Sequence, residues 1–155
     1  MVIGIGIALI IVMLDQLSKY LILNYVLAAY PYIKITSFFN VVNAWNTGVS
    51  FSLFSEGGYL GTLLLSCLAI IISAMLVWQM RKNQLPACNA ALGLIVGGAL
   101  GNVIDRIRVG AVFDFLDFHI DTYHWPAFNF ADSAICIGAV LILFISLKNK
   151  KTEKK

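Results

Sequence analysis

The sequence predicts a membrane all-α bundle of four transmembrane helices with a small extracytoplasmic β-sheet platform and a second external loop or lid. Three observations carry this. Of the 155 residues, 60% are hydrophobic and only 12% charged, against about 25% charged in ordinary soluble domains, and the mean hydropathy is +0.86. Four stretches, approximately 2–23, 59–80, 87–104 and 128–147, are long and apolar enough to span a bilayer, which takes about 20 such residues. The two long connections, 24–58 and 105–127, are rich in aromatic and β-branched residues rather than in linker residues. One integral membrane unit over residues 1–155 is expected.

Helix 1 could be mistaken for a signal peptide. It lacks a basic leading region and a clear small-residue cleavage site, and it carries Asp15 and Lys19 within its apolar run, so it reads as a retained span. Those two residues are four apart, share a helix face and can pair. At about 1.5 Å per residue from Val2, Asp15 lies roughly 20 Å along the span, in its outer third. The first external segment, YPYIKITSFFNVVNAWNTGVSFSLFSEGGY, alternates in part and is expected to form short strands.

Helix 2 is followed by Arg81 and Lys82, and helix 4 by Lys148, Lys150, Lys151, Lys154 and Lys155. In a four-span topology both clusters fall on one side. The positive-inside rule then places the termini and the helix 2–3 connection in the cytoplasm and the two long segments outside. The net charge of +3 is thereby explained by topology and anionic lipid, without nucleic acid.

Helix 3 carries Gly93, Gly97 and Gly101 at four-residue intervals, a bare ridge suited to close helix packing. Gly98 is four residues before Asn102, where a missing side chain is expected to leave room for a ligand's backbone. Asn102, Asp105 and Arg106 close the helix at its outer end. The second external segment alternates through Val112, Asp114 and Leu116 and ends in Tyr123, His124 and Trp125, residues suited to a membrane–water interface. Helix 4 opens with Asn129 and Asp132, three apart on one face, in an otherwise apolar run. A charge there normally faces a partner or a water-filled cavity. Polar residues scattered along the chain thus meet at one depth, the extracytoplasmic membrane surface.

Several chemistries lack their residues. His119 and His124 both lie in the second external segment, no G-x-S-x-G occurs, and H-I-D-T-Y-H is not a zinc-protease pattern, so neither a serine intramembrane protease nor a metal site is expected. Cys67, Cys88 and Cys136 form no C-x-x-C pair and read as small packing residues. Carboxylates remain: Asp15, Asp105, Asp114, Asp117, Asp121 and Asp132. Two held close together do not readily both ionise, so one can act as acid while the other takes a proton from water. Asp132 is a natural member of such a pair, and spacing alone does not choose its mate. Asp105 is expected to partner nearby cations, and Asp117 and Asp121 to be solvated loop charges. A small transporter or channel is the competing class, because buried charges also mark ion paths. Helices 2 and 4, however, offer no ionisable residue in their inner halves. A non-catalytic assembly factor would explain the glycine ridge but not the carboxylates.

Five ordered blocks, D-Q-L-S-K at 15–19, N-T-G-V-S-F at 46–51, G-G-A-L-G-N-V-I-D-R at 97–106, V-F-D-F at 112–115 and F-N-F-A-D-S at 128–133, resemble the lipoprotein signal peptidases, or signal peptidase II. The resemblance covers essentially the whole chain. It implies a catalytic dyad of Asp114 and Asp132, with Asp15, Lys19, Asn46, Gly98, Asn102, Arg106 and Asn129 lining the site. The implied substrate is a diacylglyceryl-modified prolipoprotein, cut just before its lipidated cysteine without metal or cofactor. Also implied are membrane lipid as a partner, susceptibility to cyclic lipopeptide inhibitors, a monomeric enzyme and a bacterial inner-membrane location. Residues 30–58 are expected to form a platform and 107–127 a lid over the lipid. Two departures from the family pattern stand near N-T-G: Ala44-Trp45 precede it, and Val49 and Ser50 replace alanines.

Overall fold

The computed structural model describes residues 1–48, 58–82 and 85–152. Helix α1 (Val2–Leu21) continues as a π-helical turn (Ile22–Val26) and is followed by strands β1 (Tyr32–Lys34) and β2 (Phe39–Asn46). Helices α2 (Gly58–Lys82) and α3 (Pro86–Val109) come next, then β3 (Val112–Ile120), β4 (Tyr123–His124) and helix α4 (Phe130–Thr152). Four segments, Val2–Val26, Leu60–Lys82, Pro86–Val109 and Phe130–Lys148, are long and apolar enough to cross a membrane.

The helices do not share the core equally. The most apolar stretch of α3 is 56% buried, against 17–28% in the other three, so α3 is the axis on which the bundle is built. Helices α1 and α4 pack along two of its faces, and α2 packs on α3 with little contact to α4. Small residues make the close approaches possible. A Cβ on Gly93 or Gly97 would run into the backbone oxygens of Gly4 or Ala8 on α1. Helix α3 ends at Gly110, whose φ of 79° is left-handed and whose N–H donates to the Arg106 carbonyl at 3.0 Å, the usual role of a glycine just past a helix.

Both long connections enter one antiparallel sheet of order β1-β2-β3-β4. Asn40 pairs with Asp117, Ala44 with Asp114 and Trp45 with Phe113, across a bulge between Val41 and Ala44. Within 107–127, Val112–Ile120 is an interior strand of the same sheet, hydrogen-bonded to the strand from the first segment. A cluster of Leu27, Val41, Phe113 and Phe115 lies under it, with Ile22 and Leu23 packed against it. The π turn serves this contact. Leu27 N–H donates to Ile22 O at 2.8 Å, five residues back, so the widened turn brings Ile22, Leu23 and Leu27 together to the sheet.

Element ends differ from the sequence reading for local reasons. Helix 3 runs on to Val109, which places Asp105 and Arg106 inside it. Helix 4 begins at Phe130 because Phe128 is used by the sheet, exchanging hydrogen bonds with Leu116 at 2.8 and 3.0 Å. Cys88 is buried as expected. Cys67 and Cys136 instead lie on the bundle's outer surface.

Candidate active site

The bridge between Leu116 and Phe128 has a direct consequence for the site, because it sets the next residue, Asn129, beside Asp114 two positions back along β3. Asn129 is fully buried and caps α4. Its side-chain oxygen accepts from Asp132 N–H at 3.0 Å, and its own N–H donates to Asp132 Oδ2 at 3.2 Å. This reciprocal pair is a capping box with Asp in the third helical position. The Asn129 amide Nδ2 then donates to Asp114 Oδ1 at 2.7 Å. One residue therefore holds both aspartates, one through its side chain and the other through its backbone.

The second oxygen of each carboxylate is also engaged. Asn46 Nδ2 donates to Asp114 Oδ2 at 3.1 Å, and Asn102 Nδ2 donates to Asp132 Oδ1 at 2.7 Å. The amide orientations follow from partners that can only donate. Asn102 Oδ1 accepts from the Lys19 ammonium at 3.2 Å, which turns its NH2 to Asp132. Asn129 Oδ1 accepts a backbone N–H, which turns its NH2 to Asp114.

Asp114 is 2% exposed. Burial raises its pKa, the hydrogen bond from Asn46 opposes this, and the nearby charge of Asp132 adds to the rise. The carboxyl is pushed up from the ordinary 3.8 to about 6. Two carboxyls with unequal environments are the arrangement from which one acid and one base can be drawn at near-neutral pH.

Asp15 and Lys19 form the expected pair, at 2.9 Å, and both are buried. Each reaches further than its own helix. Asp15 Oδ1 accepts from Ala131 N–H at 3.0 Å, so a carboxylate from α1 caps α4. The absence of a side chain at Gly101 makes room for that carboxylate, since a Cβ there would stand 2.6 Å from Asp15 Oδ2. Lys19 also meets Asp105 at 2.7 Å, in keeping with the reading of Asp105 as a partner of cations. Gln16, not singled out in the sequence, donates to Asp15 at 3.1 Å, to Asp105 at 2.9 Å and to the Gly101 carbonyl at 3.2 Å. Its place one residue after Asp15 gave no sign of the bonds to Asp105 and Gly101, because those partners come from another helix.

Gly98 does not leave the expected space for a ligand. A Cβ there would collide with the Ala131 carbonyl oxygen and Ile135 of α4, so Gly98 lets α4 approach α3 and bring Asp132 to Asn102. Arg106 interacts electrostatically with Asp132, Asp114 and Asp105, and its Nε is buried with no hydrogen-bond partner among the described residues. With Asn102 it closes the polar end of a groove of about 270 Å³, whose apolar wall is formed by Leu65, Leu68 and Ile72 of α2 and Ile135 of α4. Trp45 lies on the sheet face opposite Asn46 and packs against Phe113 with tilted rings, their centres 5.2 Å apart, so this departure from the family pattern points away from the two aspartates. Val49 and Ser50 fall outside the described residues.

Asp117 corrects an expectation. It is 6% exposed rather than solvated, and it accepts from Asn40 at 2.7 Å and from His124 Nδ1 at 2.8 Å. Burial alone would raise its pKa, but the bonds from Asn40 and His124 and the charges of His124 and His119 outweigh burial and hold it below the ordinary value. Asp121 is exposed at the hairpin turn with φ 51°. Among the described residues, no group of three His, Cys, Asp or Glu side chains could hold a metal ion.

The four candidate spans fit a multi-pass membrane protein, and the fold is that of a solved bacterial membrane enzyme, which superposes with a TM-score of 0.80. That enzyme is 33% identical, over 98% of this chain and 91% of its own. A second bacterial membrane enzyme structure gives 0.78 at 32% identity, over 94% and 92%. Residues 7–148 match the signal peptidase (SPase) II family, and the chain belongs to that family of peptidases. It is 46% identical over 146 residues to a lipoprotein signal peptidase of Ralstonia nicotianae, covering 92% of this chain and 83% of the relative. With that of Paraburkholderia phytofirmans it is 42% identical over 151 residues, covering 96% and 87%.

Proposed function

We propose that this chain is an aspartic endopeptidase that removes the signal peptide from diacylglyceryl-modified prolipoproteins, cutting just before the lipidated cysteine. The observation that carries the proposal is the joint hold of Asn129 on Asp114 and Asp132, next to a groove lined by α2, α3 and α4 whose Asn102 donates to Asp132. The names of the relatives supply the substrate class.

In this reading the apolar signal helix lies in the groove and its scissile bond reaches Asn102 and Arg106. The ionised aspartate takes a proton from water, whose oxygen attacks the scissile carbonyl carbon. The protonated aspartate polarises the carbonyl oxygen and then donates to the leaving nitrogen as the C–N bond breaks. Asn46 and Asn102 offer amide donors and acceptors to the substrate backbone. Arg81 and Lys82 lie at the end of α2 away from the dyad, which supports cytoplasmic termini and a dyad at the extracytoplasmic face of a bacterial inner membrane. Membrane lipid is the surrounding partner, cyclic lipopeptides are candidate inhibitors, and the enzyme acts as a monomer with no cofactor.

The test is cleavage of a diacylglyceryl-modified lipobox peptide by detergent-solubilised protein, with wild type, Asp114→Asn and Asp132→Asn compared in the presence of a metal chelator. Activity in the wild type alone is expected. Robust turnover by either folded variant would overturn the dyad, and an inactive but folded wild type would overturn the substrate assignment.

A further inference from the structure

The β3–β4 hairpin carries an apolar surface that the peptidase reading does not use. Beyond Leu116 the hairpin has two unlike faces. On one, Asp117 is fixed by Asn40 and His124, and the rings of His119 and His124 stack with centres 4.8 Å apart. With that face tied down, the other is covered by protein only near Phe118, and its tip is open among the described residues. Ile120 is 80% exposed, Tyr123 86% and Trp125 70%. Together with Phe38, Phe118, Pro126 and the rings of His119 and His124 they border a concavity of about 800 Å³ whose lining contains no Lys, Arg, Asp or Glu.

We propose that this hairpin tip is a second membrane-contact surface, seated at the acyl–headgroup boundary of the leaflet on the sheet's side of the bundle. Continuity with the membrane-spanning surface favours lipid over a protein occupant. Phe39 packs against Phe118 with tilted rings whose centres are 4.8 Å apart, and Phe118 stacks on Phe128 at 5.9 Å. Phe128 stands two residues before the membrane helix α4. An aromatic run therefore leads from the lipid-facing bundle to the tip. Its composition is that of interfacial belts, in which Trp and Tyr rings sit at headgroup level. The end of β3 is eight residues from its start beside α3, a reach of roughly 26 Å along the strand, so the tip is far from the strand's attachment to the bundle. A tip held there fixes the tilt of the sheet, and with it the height of Asp114 above the bilayer.

The test uses the full chain in phosphatidylcholine–phosphatidylglycerol nanodiscs, with Trp45→Phe and Trp78→Phe leaving Trp125 as the only tryptophan. Phosphatidylcholine brominated near the top of its acyl chains should quench Trp125, and aqueous acrylamide should quench it about threefold less than free tryptophan, as expected for a ring at the interface. Full acrylamide quenching without bromolipid quenching would place the tip in water and overturn the proposal. Shielding from both quenchers would mean that protein covers it, a second copy for instance, and would overturn it equally. In the same background, Ile120→Ser with Tyr123→Ser should return Trp125 to acrylamide while circular dichroism stays unchanged. Persistent bromolipid quenching in that folded variant would remove these residues from the contact and overturn the proposal.

Discussion

The ammonium of Lys19 stands 3.2 Å from the side-chain oxygen of Asn102, and through that amide it is linked to Asp132, 2.7 Å further on. A cation on α1 thus sets the direction of a hydrogen bond made by α3 to a carboxylate on α4. Lys19 is also ion-paired with both Asp15 and Asp105. Lys19→Met should leave two buried carboxylates without their cation and cost about 3–5 kcal/mol. Thermal unfolding in detergent would show this, and a variant as stable as wild type would contradict the proposed linkage.

Asn129 is expected to be the least replaceable of the uncharged site residues. Asn129→Ala removes a helix cap, costing about 1 kcal/mol, and frees both aspartates. Turnover should fall about 100-fold or more, since displacements of about 1 Å have that effect on oriented groups. Steady-state kinetics on the lipopeptide substrate, read beside the melting temperature, separates the two losses. A variant losing only stability would sever Asn129 from catalysis.

Gly98→Ala tests whether helix approach sets the site. The added Cβ meets the Ala131 carbonyl and Ile135, and such overpacking costs about 1–3 kcal/mol. Because α4 must retreat, the hydrogen bond from Asn102 to Asp132 should lengthen and turnover should drop more than stability does. Full turnover with an unchanged melting temperature would show that the helices absorb the methyl elsewhere.

Stability should depend on pH through Asp114. Its pKa is raised on folding from 3.8 to about 6, so the folded state favours the protonated carboxyl. Its contribution is fully present below about pH 4 and is lost as pH rises through 6, a change on the order of 3 kcal/mol. Melting temperatures of wild type and Asp114→Asn measured from pH 4 to 7.5 should therefore diverge in favour of the variant as pH rises. Parallel curves would show that Asp114 keeps an ordinary pKa.

Asp117 has the opposite sign. Its pKa is held below the ordinary value, so its contribution is present above the unfolded pKa and is lost as pH falls through the folded one. Asp117→Asn should speed amide exchange in β4 at neutral pH, with the difference shrinking in acid. Equal exchange at neutral pH would mean that the contacts to Asn40 and His124 do not hold the hairpin.

Apolar run lengths were enough to read the four spans, and the level at which Asp15, Lys19, Asn102 and Asp132 meet was legible from counting along each span. The approach of Asp114 to Asn129, which also holds Asp132, was not. It depends on the pairing of Phe128 with Leu116, a contact across twelve residues that no local periodicity encodes, and only family resemblance proposed the two aspartates as a pair beforehand. The same non-local pairing explains why helix 4 starts later than its apolar run does. Gly98 was misread because a bare position looks the same in sequence whether a ligand or a helix fills it. Asp117 looked like a loop charge because its partners, Asn40 and His124, come from two other strands.

The central place of α3 bears on how the protein is made. A chain synthesised from its N-terminus has α1 in the bilayer before α3 exists, so Lys19 must wait for Asp105 and Asn102. The pairing of Asp15 with Lys19 within one helix supplies the interim: each charge carries its own counter-ion into the lipid. When α3 arrives, Lys19 keeps that bond and adds its two later partners, so assembly extends an existing contact instead of exchanging one for another.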